Sequence, residues 1–250
     1  KVTRKPIAQS IGVSNVTEPR HMVPIQLKIF TPVGTAMSMV ISAKNGSYCE
    51  LTVLYWMAHN VDADWYGLCH YRRYFSLRRT GCPQKRILTR AQLLPLLDTA
   101  DIFLPKKRHY WLETNFTQYA HAHHEEDLRK VRAALSRLHP GQERVFDRVM
   151  ARRSGHRFNL MLMRRDALQS YASWLFPLLD AAEIDTTGYS ARDKRVHGFL
   201  AERLLDVWLA QQDYRVKELP VAHLERQHWG RKIAAFLLRK MGIKNDRTAR

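Results

Sequence analysis

The chain of 250 residues interleaves short apolar runs with stretches whose apolar positions recur at helical spacing. The apolar runs predict four buried strands. One begins near Trp65, and the other three lie over 100–104, 155–163 and 214–219. The helical spacing predicts helices over 47–58, 89–97, 113–130, 129–138, 142–152, 171–182 and 195–209. A chain of this length is most simply one domain with a sizeable core.

Two of the predicted strands end in basic and aromatic residues. The first runs into His70, Arg72 and Arg73, and the second is followed by Lys106, Lys107, Arg108, Tyr110 and Trp111. Ligands of open α/β sheets bind beyond the carboxyl ends of the strands. Side by side, the two ends predict a cationic, ring-lined pocket for a diphosphate and a sugar or base. The alternative is two unrelated, solvated basic loops.

Other polar patterns add candidates to this site. Arg157 and Asn159 alternate onto one side of the third predicted strand, which suits contacts with sugar hydroxyls or phosphate. His121 and His124 lie three residues apart in a predicted helix and would share a face that could bind one metal ion. Glu50 follows Ser47 at the spacing of a capping box, which we favour over a role in the site.

The charge of the chain is strongly positive, since 41 Lys and Arg residues oppose 23 Asp and Glu residues. This excess favours polyanionic partners: nucleic acid, an anionic membrane or phosphorylated substrates. We expect no nucleic-acid binding, because the sequence has no helix-turn-helix, zinc-finger or ribonucleoprotein motif. The three cysteines are expected to be reduced. Without a secretory signal or long apolar span, a cytoplasmic location is expected.

The ordered motifs of the chain resemble the polysaccharide-biosynthesis proteins of the family named domain of unknown function 4422. The resemblance lies in Gly67–Phe75 (Gly-Leu-Cys-His-Tyr-Arg-Arg-Tyr-Phe), Gln118–His124, Arg153–Asn159 and Glu202–Trp208. It implies one GT-A-like, Rossmann-like α/β domain with a mostly parallel central sheet flanked by helices, over 1–229. A basic amphipathic helix and tail over 230–250 would follow. This helix either contacts an anionic membrane, as a peripheral anchor at its inner face, or packs on its own domain.

The resemblance also implies roles for individual residues. Thr3 and Lys5 would lie beside the nucleotide base, and His70 would stand where GT-A enzymes place a metal-binding Asp-x-Asp. The metal ligands expected are thus His70, His121 and His124, with Mn²⁺ favoured and Mg²⁺ as the alternative. Asp62 and Asp64 precede their strand and are expected to form a solvated turn, roughly 20 Å from His70.

The function expected is that of a metal-dependent enzyme acting on a nucleotide-diphosphate sugar, with GDP-hexoses favoured. The preferred reaction is a pyranose–furanose mutase, after a similar metal-dependent member of the family. The alternative is a glycosyltransferase that moves the sugar to a glycan or lipid-linked acceptor, with Glu113, Asp193 or Glu202 as base. A non-catalytic polyanion-binding module is the third hypothesis. No flavin is expected, because the sequence has no Gly-rich dinucleotide motif.

Overall fold

A five-stranded sheet forms the centre of the computed structural model, which describes residues 27–30 and 44–225. Its strands are β1 (Leu27–Phe30), β2 (Trp65–Leu68), β4 (Ile102–Pro105), β7 (Met161–Arg164) and β8 (Val216–Leu219), in the order β1-β2-β7-β4-β8. Two small two-stranded sheets pair β3 (Arg73–Phe75) with β9 (Val221–His223) and β5 (Arg108–His109) with β6 (Ser154–Gly155). Thr3, Lys5 and the predicted helix after residue 230 lie outside the described residues.

The central sheet is mixed, although most of its strands share one direction. β1 pairs with β2 and β4 with β8 in parallel, whereas β7 is antiparallel to both β2 and β4. Four of the five strands therefore point the same way, with one reversed strand between β2 and β4. The α/β class is confirmed, and the carboxyl ends of β2 and β4 lie at the same edge of the sheet.

Eight α-helices lie in the described part of the chain. They are α1 (Asn45–Tyr48), α2 (Leu51–Asn60), α3 (Arg90–Leu93), α4 (Asn115–Ala122), α5 (Glu125–Leu138), α6 (Glu143–Met150), α7 (Arg165–Ala181) and α8 (Val196–Leu209). In the described ranges, no helix is long and apolar enough to cross a membrane.

Alternate side chains of the strands pack into two apolar cores, one on each face of the sheet. Tyr66 and Leu68 of β2 join the larger core, which is covered by helices α2 and α5 to α8. Trp65 of the same strand joins the smaller core on the other face, with Phe103 and the segment 93–97. This period of two is the geometry of a strand buried on both faces.

Two of the predicted helices are interrupted at the site, and both interruptions correct the sequence interpretation. The helix predicted over 113–130 breaks at His123, whose φ of −145° and ψ of −174° are extended, so α4 ends and α5 begins there. The helix predicted over 47–58 breaks at Cys49, which has a φ of 51°. The strand predicted over 155–163 is likewise two strands, β6 and β7, joined by a turn.

Candidate functional site

A cavity of about 490 Å³ opens at the carboxyl ends of β2 and β4, as the sequence predicts. The β2–β3 turn, β5, the end of α4, the β6–β7 turn and the start of α8 all contribute side chains to its walls. The side chains that line the cavity include two carboxylates, Glu50 and Glu202. They also include seven guanidinium groups: Arg72, Arg73, Arg108, Arg157, Arg192, Arg195 and Arg203. The lining is therefore strongly positive and suited to an anionic ligand.

The turn after β2 presents an imidazole and two cations to this cavity. The Nδ1 atom of His70 accepts a long hydrogen bond from the Arg72 backbone N–H (3.3 Å), which places the proton of the neutral ring on Nε2. Burial lowers the pKa of His70 to about 4, and the charges of Arg73 and Arg72 contribute to the shift. His70 is therefore neutral at physiological pH.

Of the two cations in this turn, Arg73 is the better placed to bind an anionic ligand. Its guanidinium lies 4.4 Å from the centre of the Phe158 ring and is half-buried. Burial, followed by the neighbouring charge of Arg72, lowers its pKa. It forms no salt bridge with any residue of the described ranges, whereas Arg72 pairs with Glu225 (2.5 Å). A partly desolvated cation of this kind gains from an anion bound beside it.

Glu50 faces the same turn from the start of α2. Its carboxylate lies 3.5 Å from His70 Nε2 and 3.9 Å from Arg195 Nη2. Glu50 caps no helix N–H, and Ser47 instead contacts His197 Nδ1 through its Oγ (2.5 Å). The predicted capping box is therefore wrong: the break at Cys49 turns Glu50 into the cavity.

Arg157 forms a wall of the cavity but is bonded mainly to the protein. Its Nε donates to the Tyr110 hydroxyl (2.8 Å), and its Nη2 donates to Asn115 Oδ1 (2.5 Å). Its Nη1 donates to the backbone oxygens of His156 (2.5 Å) and Glu202 (3.2 Å). Only 5% of Arg157 is exposed. The guanidinium thus fixes the Tyr110 ring and the β6–β7 turn, and its predicted contact with a ligand stays a prediction.

The β6–β7 turn holds two consecutive residues in left-handed backbone conformations. Phe158 has a φ of 83° and Asn159 a φ of 46°, and both line the cavity. The Phe158 N–H donates to Glu202 Oε1 (3.1 Å), and Asn159 Nδ2 donates to the Gly198 carbonyl (3.0 Å). A positive φ is costly for a bulky residue, so α8 stabilises a strained turn at the site.

A buried cation, Arg203, and an imidazole, His123, also line the cavity, and neither was among the predicted site residues. Arg203 donates to Glu202 Oε2 (3.1 Å) and to Gln118 Oε1 (2.6 Å), and desolvation lowers its pKa. His123 stacks on Phe199 (4.1 Å between ring centres), and burial lowers its pKa to about 4. Both residues lie in motifs of the family resemblance, His123 in Gln118–His124 and Arg203 in Glu202–Trp208, and these motifs were the signal that could have identified them.

Apart from Thr3 and Lys5, which lie outside the described residues, the predicted site residues fall into two groups. The cavity is lined by His70, Arg72, Arg73, Arg108, Tyr110, Arg157, Asn159 and Glu202. It does not include Lys106, Lys107, Trp111, Glu113, His121, His124 or Asp193. Among these, Glu113 is bonded to His121 (2.8 Å), and Asp193 accepts from Ser190 (2.7 Å). Of the three predicted bases, only Glu202 therefore reaches the cavity.

The predicted metal triad is not assembled. The interruption of the helix at His123 removes the helical face that His121 and His124 were predicted to share. The His124 ring stacks on Tyr189 instead. Within 27–30 and 44–225, no group of three His, Cys, Asp or Glu side chains could hold a metal ion. Glu50 and His70 provide a partial set, one carboxylate and one imidazole 3.5 Å apart. To bind a cation through Nε2, His70 must change tautomer and give up its bond from Arg72.

A family model described as domain of unknown function (DUF4422) matches residues 31–213. The chain belongs to the DUF4422 family. The apo structure of WbbM, a bifunctional glycosyltransferase, is similar to this DUF4422 protein, with a TM-score of 0.68 and 28% sequence identity. The match covers 74% of this chain and 38% of the WbbM chain. No curated protein gave a match. The likeness supports the GT-A-like fold, over little more than a third of the WbbM chain.

Proposed function

We propose that this DUF4422 protein is a glycosyltransferase that takes the sugar of a nucleotide-diphosphate sugar bound in the arginine-lined cavity. The observation that carries the proposal is Arg73, a half-buried cation without a salt bridge in the described ranges, at the carboxyl end of β2. This is the edge at which α/β sheets bind their ligands. The likeness to a bifunctional glycosyltransferase supports the same class of reaction.

The arginines would act on the leaving group. When the bond between the anomeric carbon and the phosphate oxygen breaks, its electron pair and a negative charge pass to the nucleoside diphosphate. Arg73, Arg108 and Arg192 line the cavity and can donate hydrogen bonds to the diphosphate oxygens as this charge develops. Removal of one preorganised donor of this kind typically costs about 10²–10³ in rate.

Glu202 is the base that we propose for the acceptor. An acceptor hydroxyl would form the new bond to the anomeric carbon and give its proton to the Glu202 carboxylate. Hydrogen bonds from the Phe158 N–H and from Arg203 hold this carboxylate in a fixed orientation at the cavity wall. Each oxygen retains further acceptor capacity, since a carboxylate offers about four acceptor positions.

A divalent cation, Mn²⁺ or Mg²⁺, remains part of the proposal. Such ions are commonly bound by one or two protein ligands together with substrate phosphates. Glu50 and His70 would supply the protein ligands, and the bound ion would add charge neutralisation at the diphosphate.

The proposal is tested by incubating the protein with GDP- and UDP-hexoses, with and without a chelator, and analysing products by chromatography and NMR. We expect slow release of free nucleoside diphosphate in the absence of an acceptor, and loss of this release in Glu202→Gln. Glu113→Gln is the matched control, because Glu113 lies outside the cavity and should leave the release unchanged. An isomer of unchanged mass would establish the mutase instead, and no interaction with any nucleotide sugar would refute both enzymes.

A further inference from the structure

Two adjacent apolar side chains project from the protein beside the cavity. Trp111 is 88% exposed and Leu112 is 65% exposed, in the loop that follows β5. An indole that is 88% exposed buries little of its apolar area in the fold. Contiguous exposed apolar side chains of this kind usually mark a contact surface.

This loop has a well-defined base. β5 pairs with β6, so that Arg108 lies opposite Gly155. The Tyr110 N–H donates to the Arg153 carbonyl (2.7 Å), and the Asn115 N–H donates to the Arg152 carbonyl (2.8 Å). These bonds bring residues 152–153 next to both ends of the loop. We refer to Lys106–Leu112 together with Arg152 and Arg153 as the hairpin patch.

Basic side chains surround the two apolar ones. The exposed cations of the hairpin patch are Lys106, Lys107, Arg108, Arg152 and Arg153, with His109 beside them. No Asp or Glu lies within 105–112 or 151–157. Two acids from neighbouring segments approach this surface: Glu218, which lies 3.8 Å from the Lys107 ammonium, and Glu113, which is bonded to His121. The patch therefore keeps a clear positive excess.

We propose that the hairpin patch binds the surface of an anionic phospholipid membrane. Trp111 and Leu112 would enter the boundary between headgroups and acyl chains, where Trp is favoured because its ring is apolar and its N–H is polar. The surrounding Lys and Arg side chains would contact lipid phosphates. Charge complementarity thus selects the anionic bilayer as partner.

The hairpin patch shares two residues with the lining of the cavity. Arg108 and Tyr110 belong both to the patch and to the lining of the cavity. A membrane bound at the patch would therefore lie beside the entrance of the cavity. This membrane contact does not depend on the proposed function, and it rests on other residues than the helix predicted after residue 230.

The test is co-sedimentation of the full chain with vesicles of phosphatidylcholine and phosphatidylglycerol, against vesicles of phosphatidylcholine alone. We expect binding to the anionic vesicles. The double variant Trp111→Ser/Leu112→Ser should bind about tenfold more weakly or worse, because the inserted apolar area is lost. Arg152→Gln/Arg153→Gln should also bind about 25-fold more weakly, since each of the two cations near the surface contributes about fivefold.

Matched controls separate the patch from the rest of the surface. Leu138→Ser removes a leucine that is 43% exposed at the end of α5, and Arg144→Gln/Arg148→Gln removes two exposed cations of α6. Both controls should bind the anionic vesicles like the original protein, and thermal unfolding should show that all variants are folded. No vesicle binding, equal binding to both vesicles, or unchanged binding of the Trp111/Leu112 variant would overturn the proposal.

Discussion

Arg157 either stabilises the fold as a framework residue or binds the ligand, and a single substitution distinguishes the two roles. The sequence pattern assigned it to the ligand, whereas the structure bonds its guanidinium to four protein acceptors. Arg157→Lys keeps the positive charge of the cavity wall but replaces a planar five-donor group with one ammonium. If Arg157 is a framework residue, Arg157→Lys should lower the free energy of unfolding.

The expected magnitude follows from the acceptors left behind. An ammonium at this position can satisfy one or two of the four acceptors, so at least two buried oxygens lose their donor. Each unsatisfied buried acceptor costs about 1–3 kcal/mol, and bonds to charged donors are at the upper end. We therefore expect a loss of about 3–5 kcal/mol, which for a protein of this size corresponds to a Tm lower by about 10 °C.

Urea denaturation followed by circular dichroism measures this loss. Arg152→Lys is the matched control, because the exposed Arg152 side chain lies outside the cavity and should change stability by less than about 0.5 kcal/mol. A loss below about 1 kcal/mol in Arg157→Lys, combined with weaker binding of nucleotide sugars, would refute the framework role and restore the ligand-binding role.

Two further predictions concern the stability of the same fold. Gly155→Ala should be strongly destabilising in thermal melts, because a Cβ there would lie 2.5 Å from an Arg157 guanidinium nitrogen; Gly46→Ala, with nothing within 4 Å, should be near neutral, and equal effects would contradict the packing. Burial lowers the pKa of His197 to about 4, so the unfolded chain, with a pKa near 6.5, binds the proton first and stability falls as pH decreases from 6.5 towards 4. His197 should contribute about 2 kcal/mol to the loss between pH 7 and pH 5 in denaturant titrations, and His197→Gln should remove that share; an unchanged pH dependence would exclude it.

The strand ends were predictable from the sequence because their signal is local. An apolar run that passes directly into His70, Arg72 and Arg73 already indicates a strand and the residues beyond it. The rule for α/β sheets then places these residues at the ligand edge. The prediction for the residues after the second strand was only partly correct. Arg108 and Tyr110 line the cavity, whereas the side chain of Trp111 is exposed to solvent.

The remainder of the site depends on backbone breaks that periodicity does not detect. One extended residue, His123, separates α4 from α5, and one residue with positive φ, Cys49, turns Glu50 into the cavity. Phe158 and Asn159 adopt strained conformations because α8 supplies Glu202 and the Gly198 carbonyl as partners. Tertiary contacts from distant segments stabilise these breaks, so no local window of sequence could reveal them.

The most direct test of the central claim measures the affinity of GDP and UDP for the arginine-lined cavity by isothermal titration calorimetry. We expect Arg73→Gln to weaken binding of the preferred nucleoside diphosphate at least about tenfold, since a charge-assisted contact in a partly desolvated site is lost. Arg148→Gln removes one exposed arginine of α6, outside the cavity, and should leave the affinity unchanged. Equal weakening in both variants, or no binding by the original protein, would contradict a specific nucleotide-sugar site and favour a non-catalytic polyanion-binding surface.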